Sequence, residues 1–120
     1  MELHLIVGRS HVSVPLYQAK AEFFRTLGHP VRIRVLELLA TGPKAVHELL
    51  EDVGVEASSM SQQLAVLRRT GLVTSERDGN TVNYACSRPE VLDLLAAARL
   101  IIRGVRSDQV LALDDTGISR

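Results

Sequence analysis

The stretch SSMSQQLAVLRRTGLV, residues 58–73, carries a helical period with two unlike faces. Met60, Leu64 and Leu67 fall on one side of a helix, while Ser58, Ser59, Gln62, Val66 and Arg69 point broadly the other way. Gly71 stands where a left-handed residue closes a helix. Ser59 with Gln62 has capping-box spacing, and a start two or three residues earlier fits as well. The stretch therefore predicts a short helix that shows hydroxyls and amides outward, and the segments around it must say what presents that face.

Upstream, Leu16, Ala19, Phe23, Phe24 and Leu27 recur close to helical spacing and Gly28 supplies a stop, which predicts a first helix over 16–27. His29-Pro30 puts proline where a helix favours it, and Val31, Val35, Leu38 and Leu39 give a second helix its apolar face before Thr41-Gly42-Pro43 ends it. A third, short helix spans about 45–52, with Val46, Leu49 and Leu50 inward and Gly54 as its stop. Downstream the period changes to two. LVTSER and TVNYAC flank Asp78-Gly79-Asn80, and Val82, Tyr84 and Cys86 alternate with Thr81, Asn83 and Ala85, the pattern of a glycine-turned hairpin.

Pro89 opens a last helix that reads to Val105, in which Val91, Leu92, Leu94, Leu95, Ala98, Ile101, Ile102 and Val105 cover more than half the circumference. A helix apolar on so many sides needs a partner surface, most simply its own copy in a second chain. Residues 1–13 read as an N-terminal arm: MELHLIV has strand character but no partner identifiable by pattern, and its order is left open. Residues 106–120 lose the pattern and read as a mobile C-terminal tail. The domain proper is then 14–105, mainly α with a small β-hairpin.

Helix, helix, short helix, turn, polar-faced helix, hairpin, helix is the order of a winged helix-turn-helix: five helices plus a wing. The segments LGHPVRIRVLELL (27–39), SSMSQQLAVLRRTGLV (58–73) and SERDGNTVNYACS (75–87), taken together and in this order, resemble the ArsR/SmtB family of bacterial transcriptional regulators over roughly three quarters of the chain. The resemblance implies a homodimeric DNA-binding regulator, most simply a repressor on a near-palindromic operator, dimeric through its first and last helices. Leu16, Phe23, Phe24, Leu94, Leu95, Ala98, Ile101 and Ile102 are the interface candidates.

The chemistry agrees with that implication. A helix presented by two others can enter the major groove, where Gln pairs two-point with adenine, Arg with guanine, and Ser reaches phosphate or base edges. Ser58, Ser59, Ser61, Gln62 and Gln63 are such groups at the helix N-terminus, which also offers free N–H groups to a phosphate. Arg68 and Arg69 would lie toward the backbone, and Arg77, Asn80 and Thr81 at the hairpin tip would act as a wing. Arg32 and Arg34 are weaker candidates. Taken alone, an exposed Ser/Gln face is as readily just solvated, and Glu76 and Asp78 dilute the field of Arg77.

Charge limits the partner. Lys and Arg number 14 against 14 Asp and Glu, so any polyanion site is local. Residues 57–88 hold four arginines (68, 69, 77, 88) and two acids (76, 78), an excess of two per chain, which predicts a salt-dependent but moderate DNA affinity. Cys86 has no second thiol for an internal disulfide, no signal-like lead opens the chain, and no apolar run nears the roughly 20 residues of a membrane span. These fit a soluble protein of the reducing cytoplasm. At the inward-alternating end of its strand, Cys86 reads as a small core residue rather than a redox switch.

The family implies metal-responsive relatives, and this chain departs from their ligand patterns. Where arsenic-type members carry Cys-x-Cys, the matching residues are Ala45 and His47; where zinc-type members use His and carboxylates on the last helix, the stretch offers Arg88, Glu90, Ile101 and Gly104. His4, His11 and His29 show no ligand spacing, although His4 and His11 lie in an arm that some relatives recruit for metal. No metal or other cofactor is expected, and a small-molecule effector stays open. No nucleophile–base pair or phosphate-cradling glycine loop marks an enzyme. The rival is a protein-interaction module, since winged helices also serve as assembly pieces and a net-neutral chain suits that use.

Overall fold

The structure, a computed structural model, describes the backbone of residues 2–7 and 10–115 and the side chains of residues 14–112. Strands β1 (Glu2–Val7) and β2 (Ser10–Pro15) pair antiparallel, with Glu2 opposite Pro15 and Val7 opposite Ser10. Helices α1 (Leu16–Leu27) and α2 (Pro30–Leu38) follow, α2 tightening into a 3-10 turn over Leu39–Thr41. After strand β3 (Lys44–Ala45) come α3 (Val46–Val53) and α4 (Ala57–Arg69), then strands β4 (Val73–Asp78) and β5 (Thr81–Cys86), and last α5 (Pro89–Asp115).

Local chemistry explains the boundaries. His29 caps α2: its Nδ1 accepts from the Val31 N–H at 3.2 Å, and Pro30 fills the first helical position, where a missing N–H costs nothing. The Glu48 carboxylate accepts from the Ala45 N–H at 2.9 Å and holds the start of α3. At the end of α4, Gly71 takes φ +81°, its N–H bonds to Arg68 O, and Leu72 N–H reaches back to Leu67 O at 2.9 Å. This is the Schellman closure for which only glycine is free of strain.

The core is aliphatic. Val35 and Leu36 of α2, Leu49 of α3 and Met60, Leu64 and Leu67 of α4 are enclosed, with Leu27, Leu39, Leu72, Val73 and Val91 closing around them. Each such side chain contributes about 1.5–3 kcal/mol on leaving water. Beside this core lies a three-stranded antiparallel sheet in the order β3-β5-β4. Lys44 and Ala45 pair with Tyr84 and Asn83, so the predicted hairpin gains a third strand too short to show a period in sequence.

Two terminal expectations change. Residues 2–7 do have a strand partner, residues 10–15. Helix α5 does not stop at Val105 but runs to Asp115, so the expected C-terminal tail is helix up to that residue. Residues 106–115 contain neither Gly nor Pro and are rich in good helix formers. Ala98 is the last half-buried residue and the apolar pattern runs on to Val105, so neither marks the end of the helix. At 27 residues α5 is about 40 Å long. The radius of gyration is 18.5 Å, against about 14 Å for a compact chain of this length.

Candidate nucleic-acid interface

Helices α3 and α4 meet at a sharp turn. Gly54 takes φ +77° and its N–H bonds to Leu50 O at 2.9 Å, ending α3 in the left-handed conformation. Val55 and Glu56 then lead into α4. With Met60, Leu64 and Leu67 buried, the opposite side of α4 faces outward: Ser58, Ser61, Gln62, Arg68 and Arg69 are all exposed. Ser58, Ser61, Gln62 and Arg69 form a stripe at helical spacing, with Ala65 between them small enough to permit close approach.

The helix starts earlier than a Ser59–Gln62 capping box requires. Glu56 is the N-cap and makes no side-chain cap bond, while Met60 N–H to Glu56 O, at 3.0 Å, is the first helical bond. Ser59 thus sits inside the first turn, half-buried, and the N–H groups of Ala57, Ser58 and Ser59 precede the hydrogen-bonded ladder. That end carries the positive pole of the helix dipole toward whatever faces it.

One predicted reader is corrected. Gln63 is 9% exposed, and its Oε1 accepts from Arg32 Nε at 2.7 Å. It faces the protein, and its carbonyl oxygen is already matched. In sequence it sits among outward-facing serines and glutamine, but its angular position borders the Met60–Leu67 side, and its partner lies 31 residues away. Arg32 is likewise committed, since its Nη1 also donates to Thr26 O at 2.7 Å. Arg34 pairs with Asp52, at 3.0 Å, and stands 4.0 Å from Glu37.

The wing is anchored and its tip is free. Ser87 Oγ donates to Gly71 O at 2.7 Å and Ser87 N–H to Leu72 O at 3.0 Å, tying the exit of β5 to the exit of α4. Gly79 takes φ +64° and Asn80 a negative φ, the arrangement of a type II′ turn, whose twist matches that of the flanking strands. Arg77, opposite Val82, and Thr81, opposite Asp78, are exposed together with Asn80. Glu76 and Asp78 are exposed beside them, so the tip is mixed in charge. Cys86 is half-buried against the core and its Sγ lies 3.4 Å from Arg88 O.

Exposed apolar side chains also lie on α1 and on α5. Phe24 is 52% exposed, with its ring edge-on to Phe23 at 5.5 Å; Tyr17, Leu100, Ile101, Ile102, Val105, Val110 and Leu111 are exposed as well. Of the predicted interface residues, Phe23, Leu94 and Leu95 pack partly on their own core, Leu16 and Ala98 are half-buried, and Phe24, Ile101 and Ile102 face out. Tyr17 and Leu100, also exposed, escape the sequence reading.

Ala45 is buried, His47 is exposed on α3, and Arg88, Glu90, Ile101 and Gly104 offer one carboxylate among them. Among the described residues no cluster of three or more His, Cys, Asp or Glu side chains could hold an ion. His29 serves as a helix cap, and the side chains of His4 and His11 lie outside the described residues. No described helix is long and apolar enough to cross a membrane.

Residues 29–75 match the sequence model of the family described as bacterial regulatory protein, arsR family. The chain is similar to the HTH-type transcriptional regulator Rv0081 of Mycobacterium tuberculosis, with 54% identity over 104 residues, 86% of this chain and 91% of that protein. The crystal structure of Rv0081 superimposes with a TM-score of 0.74, covering 81% of this chain and 98% of that one. The transcriptional repressor BigR of Xylella fastidiosa is 32% identical with a TM-score of 0.66, covering 71% and 87% of the two chains. The homodimeric winged helix-turn-helix DNA-binding domain of Mb0332 from Mycobacterium bovis is 27% identical with a TM-score of 0.63, covering 73% and 82%.

Proposed function

This chain belongs to the arsR family of bacterial regulatory proteins, and on that basis we propose that it is a homodimeric, sequence-specific DNA-binding repressor of the cytoplasm, released from a near-palindromic operator by a small-molecule effector. The observation that carries the reading is the outward stripe of α4. Its hydroxyls, amide and arginines have no side-chain partner among the described residues, while the opposite side of the helix is core. In this reading Gln62 makes base-edge contacts, Ser58 and Ser61 meet phosphate or base edges, and Arg68, Arg69, Arg77, Asn80 and Thr81 follow the backbone. Ser59 contributes through its N–H at the helix start rather than through its half-buried hydroxyl.

A dimer is supported by the exposed apolar residues of α1 and α5, and by the homodimeric state of Mb0332. Two-fold symmetry then sets two copies of α4 about one DNA turn, or a multiple of it, apart.

Fluorescence anisotropy tests the reading. The protein is titrated with its own upstream promoter and with a scrambled duplex, at low and near-physiological salt. Preference for the promoter that survives salt supports a specific regulator; equal binding erased by salt refutes it and moves a protein partner to the front. In the same assay Gln62→Ala is expected to relax discrimination at one base pair per half-site by about ten-fold or more. Unchanged discrimination would remove Gln62 from the readers. Arg77→Ala is expected to weaken all duplexes alike, and to lower the slope of log K against log salt by about one per lost contact.

A further inference from the structure

We propose that Arg32 is a positioning residue: through Gln63 it ties the dimer-forming helix α1 to the DNA-reading helix α4, and so fixes which half-site spacing the dimer accepts. The inference rests on the DNA-binding dimer described above and concerns a residue pair outside its contact surfaces.

Gln63 is the anomaly that leads to it. Every other buried side chain of the described residues is apolar, yet this amide lies inside and on the very helix whose outer face is polar. A buried amide costs free energy unless it is matched, and among the described residues no buried side-chain nitrogen or oxygen is left without a partner. The match of its carbonyl oxygen is the Arg32 Nε–H at 2.7 Å, a charge-assisted bond of the stronger kind.

The other arm of the same guanidinium reaches α1. Nη1 donates to Thr26 O at 2.7 Å, in the last turn, where carbonyls lack a partner within the helix. Neighbouring carbonyls of that turn are taken up locally, Phe24 O by Gly28 N–H and Leu27 O by His29 N–H, both at 2.8 Å. Thr26 is left to Arg32, which also brings positive charge to the negative end of α1. The guanidinium is planar and its donors diverge at fixed angles, so two short bonds at once orient α1 and α4 relative to each other. Direct packing of α1 on α2 or α4 is sparse, with Leu27 its buried anchor in the core, so the guanidinium is the polar link between the two helices.

Half-site spacing depends on where the two copies of α4 stand relative to the dimer axis, and α1 carries part of the dimer surface. Loosening the link leaves the reading face intact but lets the two helices take several separations.

The test uses anisotropy with a series of operators whose half-site spacing is changed by one or two base pairs either way. The wild type is expected to show a sharp optimum. Arg32→Lys, which keeps the charge but cannot make the fork, is expected to lower the preference for that optimum over its neighbours about ten-fold. Its sedimentation as a dimer and its affinity for a non-specific duplex should stay the same. Gln63→Leu should do likewise, and the double variant should add nothing, because both remove one link. Gln63→Glu, whose carboxylate accepts the same N–H, should keep the wild-type optimum. A folded, dimeric Arg32→Lys variant with an unchanged optimum overturns the inference, as does a fall in melting temperature without a change in spacing preference. If Arg32→Lys does not fold, Gln63→Leu decides by the same criterion. A wild type without preference for any operator fails the regulator reading itself, a result distinct from a sharp optimum that ignores both substitutions.

Discussion

Ile101→Asp is expected to leave the protomer folded and to abolish both dimerisation and tight operator binding. Ile101 is 64% exposed and lies outside the core, so within one chain the change costs only the lower helix propensity of Asp, about 0.5 kcal/mol. In a symmetric dimer the substitution appears twice. Each carboxylate buried without a partner costs about 3–5 kcal/mol, so the pair costs about 6–10 kcal/mol. A micromolar dimer is held by about 8 kcal/mol, and the mutation consumes all of it. Losing the second half-site also removes the avidity of a linked pair, typically about 10²–10⁴-fold in affinity. Sedimentation velocity, circular dichroism and anisotropy read the three quantities separately. A helical, dimeric variant that still binds operator would take Ile101 out of the interface.

Leu67→Ala is expected to lower unfolding free energy by about 3 kcal/mol per protomer, in the middle of the range for a buried leucine truncated to alanine. Leu67 is wholly enclosed on the inner side of α4. Its carbonyl also accepts from Leu72 N–H in the turn that aims the chain into β4, so the helix loses its side-chain anchor next to its closing hydrogen bond. Arg69→Ala, two residues on and exposed, should stay within about 0.5 kcal/mol of wild type. Urea unfolding at fixed protein concentration measures both. A loss below about 1 kcal/mol at Leu67 would be incompatible with α4 packed as described.

The contrast between those neighbouring residues of one helix is also the measure of what a sequence discloses. Met60, Leu64 and Leu67 are legible because burial on a helix repeats with its turn, and α4 has one buried side and one wet side. Gly71 and Gly79 are legible because a positive φ favours one residue type. Gln63 is not: it stands at the edge of the buried arc, and only the folded chain shows that Arg32, from another helix, is there to receive it. Nor is the length of α5. Hydrophobic period stops at Val105, already beyond the last half-buried residue, Ala98, while the residues after it favour helix well enough to continue. Strand β3 falls below the threshold of any period, since two residues cannot alternate visibly. Among the candidate DNA-facing side chains the exposed ones were readable as a stripe. The inward one failed because residue type alone does not distinguish an amide that reads from an amide that braces.

The projecting part of α5 has a kinetic meaning. From Arg99 on, every described side chain of this helix is exposed, so it takes little support from its own chain, whereas helices in proteins owe most of their stability to packing. In the proposed dimer its order therefore comes from a second molecule, and the final stage of folding is bimolecular: it accelerates with the number of copies in the cell. A newly made protomer that has met no partner carries a reading helix already fixed by its core, but a sticky, incompletely supported α5. Such a chain is open to proteases while scarce and shielded once abundant. Supply of the regulator would then rise more steeply than its synthesis, without any ligand taking part.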